Sequence, residues 1–121
     1  MICYSSHYRA ELVPDPSYTI GSADNRPCDR IINPDGLGRG DFAKVCRLAV
    51  ERFEIGEELQ AVLIGPGTWC VESCAVLEES RLTVLMDRMV IRLSLDTFEV
   101  VCSRRLDVCG SMLALYHCGG D

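Results

Sequence analysis

The run Asp41-Phe-Ala-Lys-Val-Cys-Arg-Leu-Ala-Val-Glu-Arg-Phe-Glu54 decides how this chain is read. Its apolar residues Phe42, Val45, Cys46, Ala49, Val50 and Phe53 follow the spacing i, i+3, i+4, i+7, i+8, i+11, which gathers side chains on one face of a helix. Lys44, Arg47, Glu51 and Glu54 fall on the other side, and Arg47 with Glu51 makes an opposite-charge pair one turn apart. Asp41 is a good N-cap and Gly56 a plausible C-cap. The spacing therefore predicts an amphipathic helix over residues 41–54.

Beyond Gly56 the period changes to two. Leu59, Ala61 and Leu63 alternate with Gln60, Val62 and Ile64, and Gly65-Pro66-Gly67 marks a turn. Further strands are expected at Trp69 to Leu77, Leu82 to Met86, Met89 to Leu95 and Phe98 to Arg104, separated by Glu78-Glu79-Ser80, Asp87-Arg88 and Asp96-Thr97. Leu113 to Cys118 reads as a last strand or a short helix. Strands joined by such short turns are usually antiparallel neighbours. Before the helix, residues 13–40 hold four prolines and four glycines, Pro14, Pro16, Pro27, Pro34, Gly21, Gly36, Gly38 and Gly40, which indicates an extended, loop-rich segment. A short strand is expected near the N-terminus and another at Tyr18-Thr-Ile20. The expected fold is α+β: one amphipathic helix packed on an antiparallel meander of about five strands, with a loop-rich N-terminal arm. It forms a single domain over 1–121, with the arm at 1–40, the helix at 41–54 and the sheet at 57–118.

Composition is that of a folded domain, 48% hydrophobic and 25% charged. The formal charge of −6 argues against general binding of nucleic acid or an anionic membrane, both of which call for clustered Lys and Arg. It suits a partner protein with a basic surface. No apolar run is long enough for a transmembrane helix, and no secretory leader can be read at the start, so a cytoplasmic location is expected.

Three constellations could carry chemistry. The stretch Pro34-Asp-Gly-Leu-Gly-Arg-Gly-Asp41 leads into the expected helix, where Gly36, Gly38, Arg39 and Gly40 could cradle a phosphate or nucleotide on backbone N–H groups. It lacks the Gly-Lys-Ser/Thr ending of a phosphate loop, and Asp41 would set a negative charge there. Among the eight cysteines, Cys70, Cys74, Cys109 and Cys118 could converge on a zinc ion or a redox centre, although no pair has knuckle spacing. The simpler account makes most cysteines small core residues. His7 and His117 sit in no nucleophile or general-base motif.

With no catalytic pattern and no cofactor expected, the leading expectation is a non-enzymatic binding protein that acts by occupying a partner protein's surface, with the irregular arm at 13–40 and acidic side chains forming the contacts. Small acidic domains of this size include phage or mobile-element inhibitors of host machinery, an analogy of size and charge alone. The alternatives are a phosphate or nucleotide binder using residues 36–40 and a zinc- or redox-responsive cysteine protein. An exposed sheet edge would allow a homodimer.

Overall fold

A computed structural model of the chain describes residues 1–41, 43–67 and 73–105. Within them lie nine strands and no helix: β1 (Ile2–Tyr4), β2 (Tyr8–Pro14), β3 (Arg30–Ile32), β4 (Ala43–Arg52), β5 (Glu57–Pro66), β6 (Cys74–Glu78), β7 (Arg81–Leu85), β8 (Met89–Ser94) and β9 (Glu99–Arg105). They form a five-stranded sheet in the order β1-β2-β4-β5-β3 and a four-stranded sheet in the order β6-β7-β8-β9. All neighbours are antiparallel except β3, which runs parallel to β5.

This overturns the expected α+β fold. The residues read as a helix form β4, which pairs with β5 along its whole length from Ala43↔Pro66 to Arg52↔Glu57. The reason is burial on both faces. Cys46, Leu48 and Val50 point into the core between the sheets, and Val45 on the opposite face packs with Val62, Ile64, Tyr18, Ile20, Cys28 and Leu37. A strand covered on both sides loses its polar alternation and reads as a continuous apolar run. The presumed caps do other work. The carboxylate of Asp41 accepts from the Gly38 N–H at 2.6 Å, closing a turn before the strand. Gly56 adopts a φ of 64° in the β4–β5 hairpin, where its N–H bonds the Arg52 carbonyl at 2.9 Å.

The single meander expected for the sheet is likewise corrected. β5 belongs with β4 in the first sheet, and only β6 to β9 run as a meander. The alternation at 59–64, and the turns at 78–80, 87–88 and 96–97, agree with the strands observed. Tyr18 to Ile20 is not a strand, and the segment expected at 113–118 lies outside the described residues.

Tyr8, Ala10, Leu12, Leu48 and Leu63 of the first sheet meet Leu82, Val84, Ile91 and Leu93 of the second in one hydrophobic core. On one side the sheets meet through β1 and β6. There Met1 and Cys3 cover the outer edge of β6: the Ala75 N–H reaches the Met1 sulfur at 3.1 Å, and the Cys3 thiol donates to the Ala75 carbonyl at 3.5 Å. Among the described residues the opposite side, between β3 and β9, is open, and a hollow of about 290 Å³ lies between Ile31 and Val100. Gly67 is required where β5 ends, because a Cβ there would stand 2.8 Å from the Asp87 Cβ in the β7–β8 turn.

A polar clasp ties the sheets at the β8–β9 turn. The buried Tyr8 hydroxyl donates to the Asp96 carboxylate. Arg52 lies 5.6 Å from the centre of the Tyr8 ring and donates to the carbonyls of Leu95 and Asp96, both at 3.2 Å. The hydrogen bonds from Tyr8 and then Ser80 hold the Asp96 carboxyl below its usual range, while burial, and then Asp96 itself, push the Tyr8 phenol up. A carboxyl whose pKa is depressed by folding stabilises the native state above its unfolded value and loses that contribution as pH falls through the native one. A phenol whose pKa is raised contributes below its unfolded value and loses the contribution as pH rises. Tyr8→Phe is therefore expected to flatten the stability profile below about pH 4 and above about pH 10, measured by urea denaturation across pH.

Candidate functional site

Arg47 is the polar residue around which the outer face of the first sheet is arranged. It sits mid-strand in β4 with a side chain only 4% exposed. Its Nε lies 3.4 Å from the Asp15 carboxylate. One terminal nitrogen donates to the Pro27 carbonyl at 3.1 Å and to Gln60 Oε1 at 3.4 Å, and the other donates to the Arg26 carbonyl at 3.2 Å. One guanidinium thus binds both the start and the middle of the arm that runs from Asp15 to Asp41. Guanidinium suits this role because its donors are fixed in a planar fork. Two backbone-directed bonds add to the anchor: the Asp29 N–H donates to the Gln60 carbonyl and the Gln60 N–H donates to the Asp29 carboxylate, both at 2.8 Å.

Held in this way, the arm stands as a wall beside the sheet and leaves a groove of about 610 Å³. The floor is set by register. Glu11, Ala49 and Gln60 lie across β2, β4 and β5 in one row, and Val13 and Arg47 lie side by side in the next. Arg26, Pro27, Cys28 and Asp29 form the wall, and Glu58 lies at the end of the floor. Ala49 makes the hollow, since its neighbours in the row carry long polar chains and it does not. The carboxylates of Glu11, Asp29 and Glu58 give the groove an acidic rim, offset in part by the exposed Arg26 on the wall. Glu11 is 3.8 Å from Arg9, an exposed and weak pairing, and Arg47 is occupied by the arm.

The structure gives the expected site residues different surroundings. Gly36, Gly38, Arg39 and Gly40 lie in a turn before β4, so no helix dipole points at them. Within that turn the Gly38 N–H is bonded to Asp41, the Arg39 Nε donates to the Ile20 carbonyl at 3.3 Å, and Asn33 holds both the N–H and the carbonyl of Leu37. Of the proposed metal ligands, Cys74 lies half-buried at the start of β6 against Leu85 and Val90. Cys70, Cys109 and Cys118 lie outside the described residues, among which no group of three His, Cys, Asp or Glu side chains could hold a metal. His7 pairs with Glu54 at 3.0 Å on the surface. Among the described residues no helix is long and apolar enough to cross a membrane.

Sequence reasoning put the expected contacts on the arm, which forms the groove's wall, but it did not find the floor, because it set Arg47 on the solvated side of a helix. One signal was available: a charged residue within an apolar run, following a segment rich in Pro and Asp that could fold back to meet it.

Arg47→Leu leaves Asp15 and two arm carbonyls without their donor. It is expected to cost roughly 3 kcal/mol in chemical denaturation and to quicken tryptic cleavage after Arg39 as the arm lifts. Burial raises the Cys46, Cys3 and Cys74 thiols, whereas Cys102 is exposed on β9. Iodoacetamide at pH 7 is expected to label Cys102 first and Cys46 last among these four, as read by peptide mass spectrometry. No known protein family, curated protein or solved structure matches the chain.

Proposed function

We propose that the protein is a non-enzymatic binding protein that occupies a partner protein's surface, and that the groove between the arm and the five-stranded sheet receives an extended, basic segment of that partner. The observation that carries this reading is the shape and charge of the groove. It is a preformed concavity of about 610 Å³, fixed by the buried Arg47 and rimmed by Glu11, Asp29 and Glu58. The flat floor of three strands suits a chain lying across it, and the rim suits lysine or arginine side chains. The chain's net charge of −6 would speed and orient the approach of a basic partner.

The probe is a short peptide alternating arginine and valine, titrated calorimetrically against the full chain at low salt. Binding is expected, weakening steeply as salt rises. Ala49→Arg places a long cation on the groove floor and is expected to reduce affinity at least about tenfold, by steric filling and like-charge repulsion. Glu58→Lys changes a rim charge without filling the floor and is expected to act mainly through the association rate. No binding at low salt, or binding that Ala49→Arg leaves unchanged in a folded protein, would sink the proposal.

A further inference from the structure

β9 is an edge strand whose seven residues are all exposed, with Val100 at 40% and Val101 at 50%. Among the described residues no strand pairs with its outer side. A long exposed edge of this kind is a template for another strand. Its sequence, Glu99-Val-Val-Cys-Ser-Arg-Arg105, is acidic at one end and basic at the other.

The parity of the ladder settles which backbone groups the edge offers. The Met86 N–H bonds the Met89 carbonyl at 2.8 Å and the Leu95 N–H bonds the Ser80 carbonyl at 2.7 Å, one at each end of the β7–β8 pair. Hydrogen-bonded and non-hydrogen-bonded pairs alternate in an antiparallel ladder. Met89, Ile91 and Leu93 therefore turn their backbone groups to β7, and Val90, Arg92 and Ser94 turn theirs to β9. Their partners Arg104, Cys102 and Glu99 face back toward β8. Leu93 pairs with Val100 and Arg92 with Cys102, so Val101 is the extra residue of a bulge. Val100 and Ser103 are left with N–H and C=O groups directed to the open side.

We propose that this edge binds β9 of a second copy of the chain, antiparallel about a two-fold axis at Cys102. In that register, with Val101 bulged in both copies, Val100 of each copy meets Ser103 of the other as a hydrogen-bonded pair. Cys102 meets its own counterpart as a non-hydrogen-bonded pair. Glu99 then lies opposite Arg104 of the other copy at both ends, on the same sheet face as Cys102. Backbone parity and charge agree in this one register. Centring the axis on Arg104 would oppose like charges, and centring it on Ser103 would leave Glu99 without a facing cation within β9. The contact is isologous, as a two-fold dimer requires, and joins two four-stranded sheets into one of eight strands. It is independent of the groove.

Sedimentation velocity of the full chain over a concentration series should show a monomer–dimer equilibrium. Glu99→Arg and Arg104→Glu each turn two attractive cross-strand pairs into repulsive ones, and each should raise the dimer Kd roughly tenfold or more. The double variant Glu99→Arg/Arg104→Glu restores the pairs and should return Kd to near the starting value. Diamide gives a second readout. Two Cys102 thiols, one from each copy, lose two protons and two electrons to form one S–S bond, and the azo reagent takes up both as its hydrazine. Peptide mapping should find the Cys102–Cys102 cross-link, and Cys102→Ser should abolish it. A chain that stays monomeric at high concentration and low salt overturns the proposal. A dimer indifferent to the charge reversals, or cross-linked through other cysteines, overturns it equally.

Discussion

One buried guanidinium is the polar anchor between the arm and the five-stranded sheet. The bonds from Arg47 to Asp15, Arg26 and Pro27 pin the arm against β4 and β5, together with the Asp29–Gln60 bonds and the pairing of β3 with β5. The arm so held covers Val45, Val62 and Ile64, which gives the five-stranded sheet a second buried face. Burying a cation is costly, and here the cost is offset by two backbone carbonyls, a carboxylate and an amide oxygen. The same contact makes the arm a wall and the space beside it a groove. Stability and the candidate binding surface therefore share one anchoring side chain.

The two long sides of the molecule differ in how they end. At β1 and β6 the sheets approach closely, and two sulfur atoms satisfy the backbone of Ala75 where a further strand would otherwise pair. At β3 and β9 they diverge. β3 has only three residues, parallel to β5, and cannot reach across to β9. The ion pair between Arg105 and Asp35 at 3.7 Å is a thin link across that opening. Short or covered edges guard one side, whereas β9 presents seven exposed residues on the other.

Much of the strand pattern was legible. Leu59, Ala61 and Leu63 face the core and Val62 and Ile64 face away, as period two requires, and the polar segments at 78–80, 87–88 and 96–97 mark real turns. β4 misled because two physical signals coincided. Its outer face is covered by a segment that begins nearly thirty residues earlier, beyond the reach of local periodicity, so the strand lost its alternation. Asp41 and Gly56, suited to helix ends, also suit a tight turn and a hairpin. The arm itself was visible as a cluster of prolines and glycines, but its docking depends on Arg47, which looked solvated on a helical wheel. The groove inherits that blindness, since its floor residues share a face only when β4 is a strand.

The sulfur contacts at Ala75 bear on the order of folding. They join residues 72 and 74 positions apart, whereas β4 and β5 meet through a four-residue turn, and β7 and β8 through a three-residue one. Closing a long loop costs chain entropy before any contact repays it. The hairpins can therefore form early, and the N-terminal strand completes the seam only once both sheets exist for it to join. Amide protection that rose in β1 before β4 during refolding would contradict this sequence of events. Until β1 docks, the edge of β6 is bare, which makes the interval before docking the one in which a newly made chain is most open to mispairing with its neighbours.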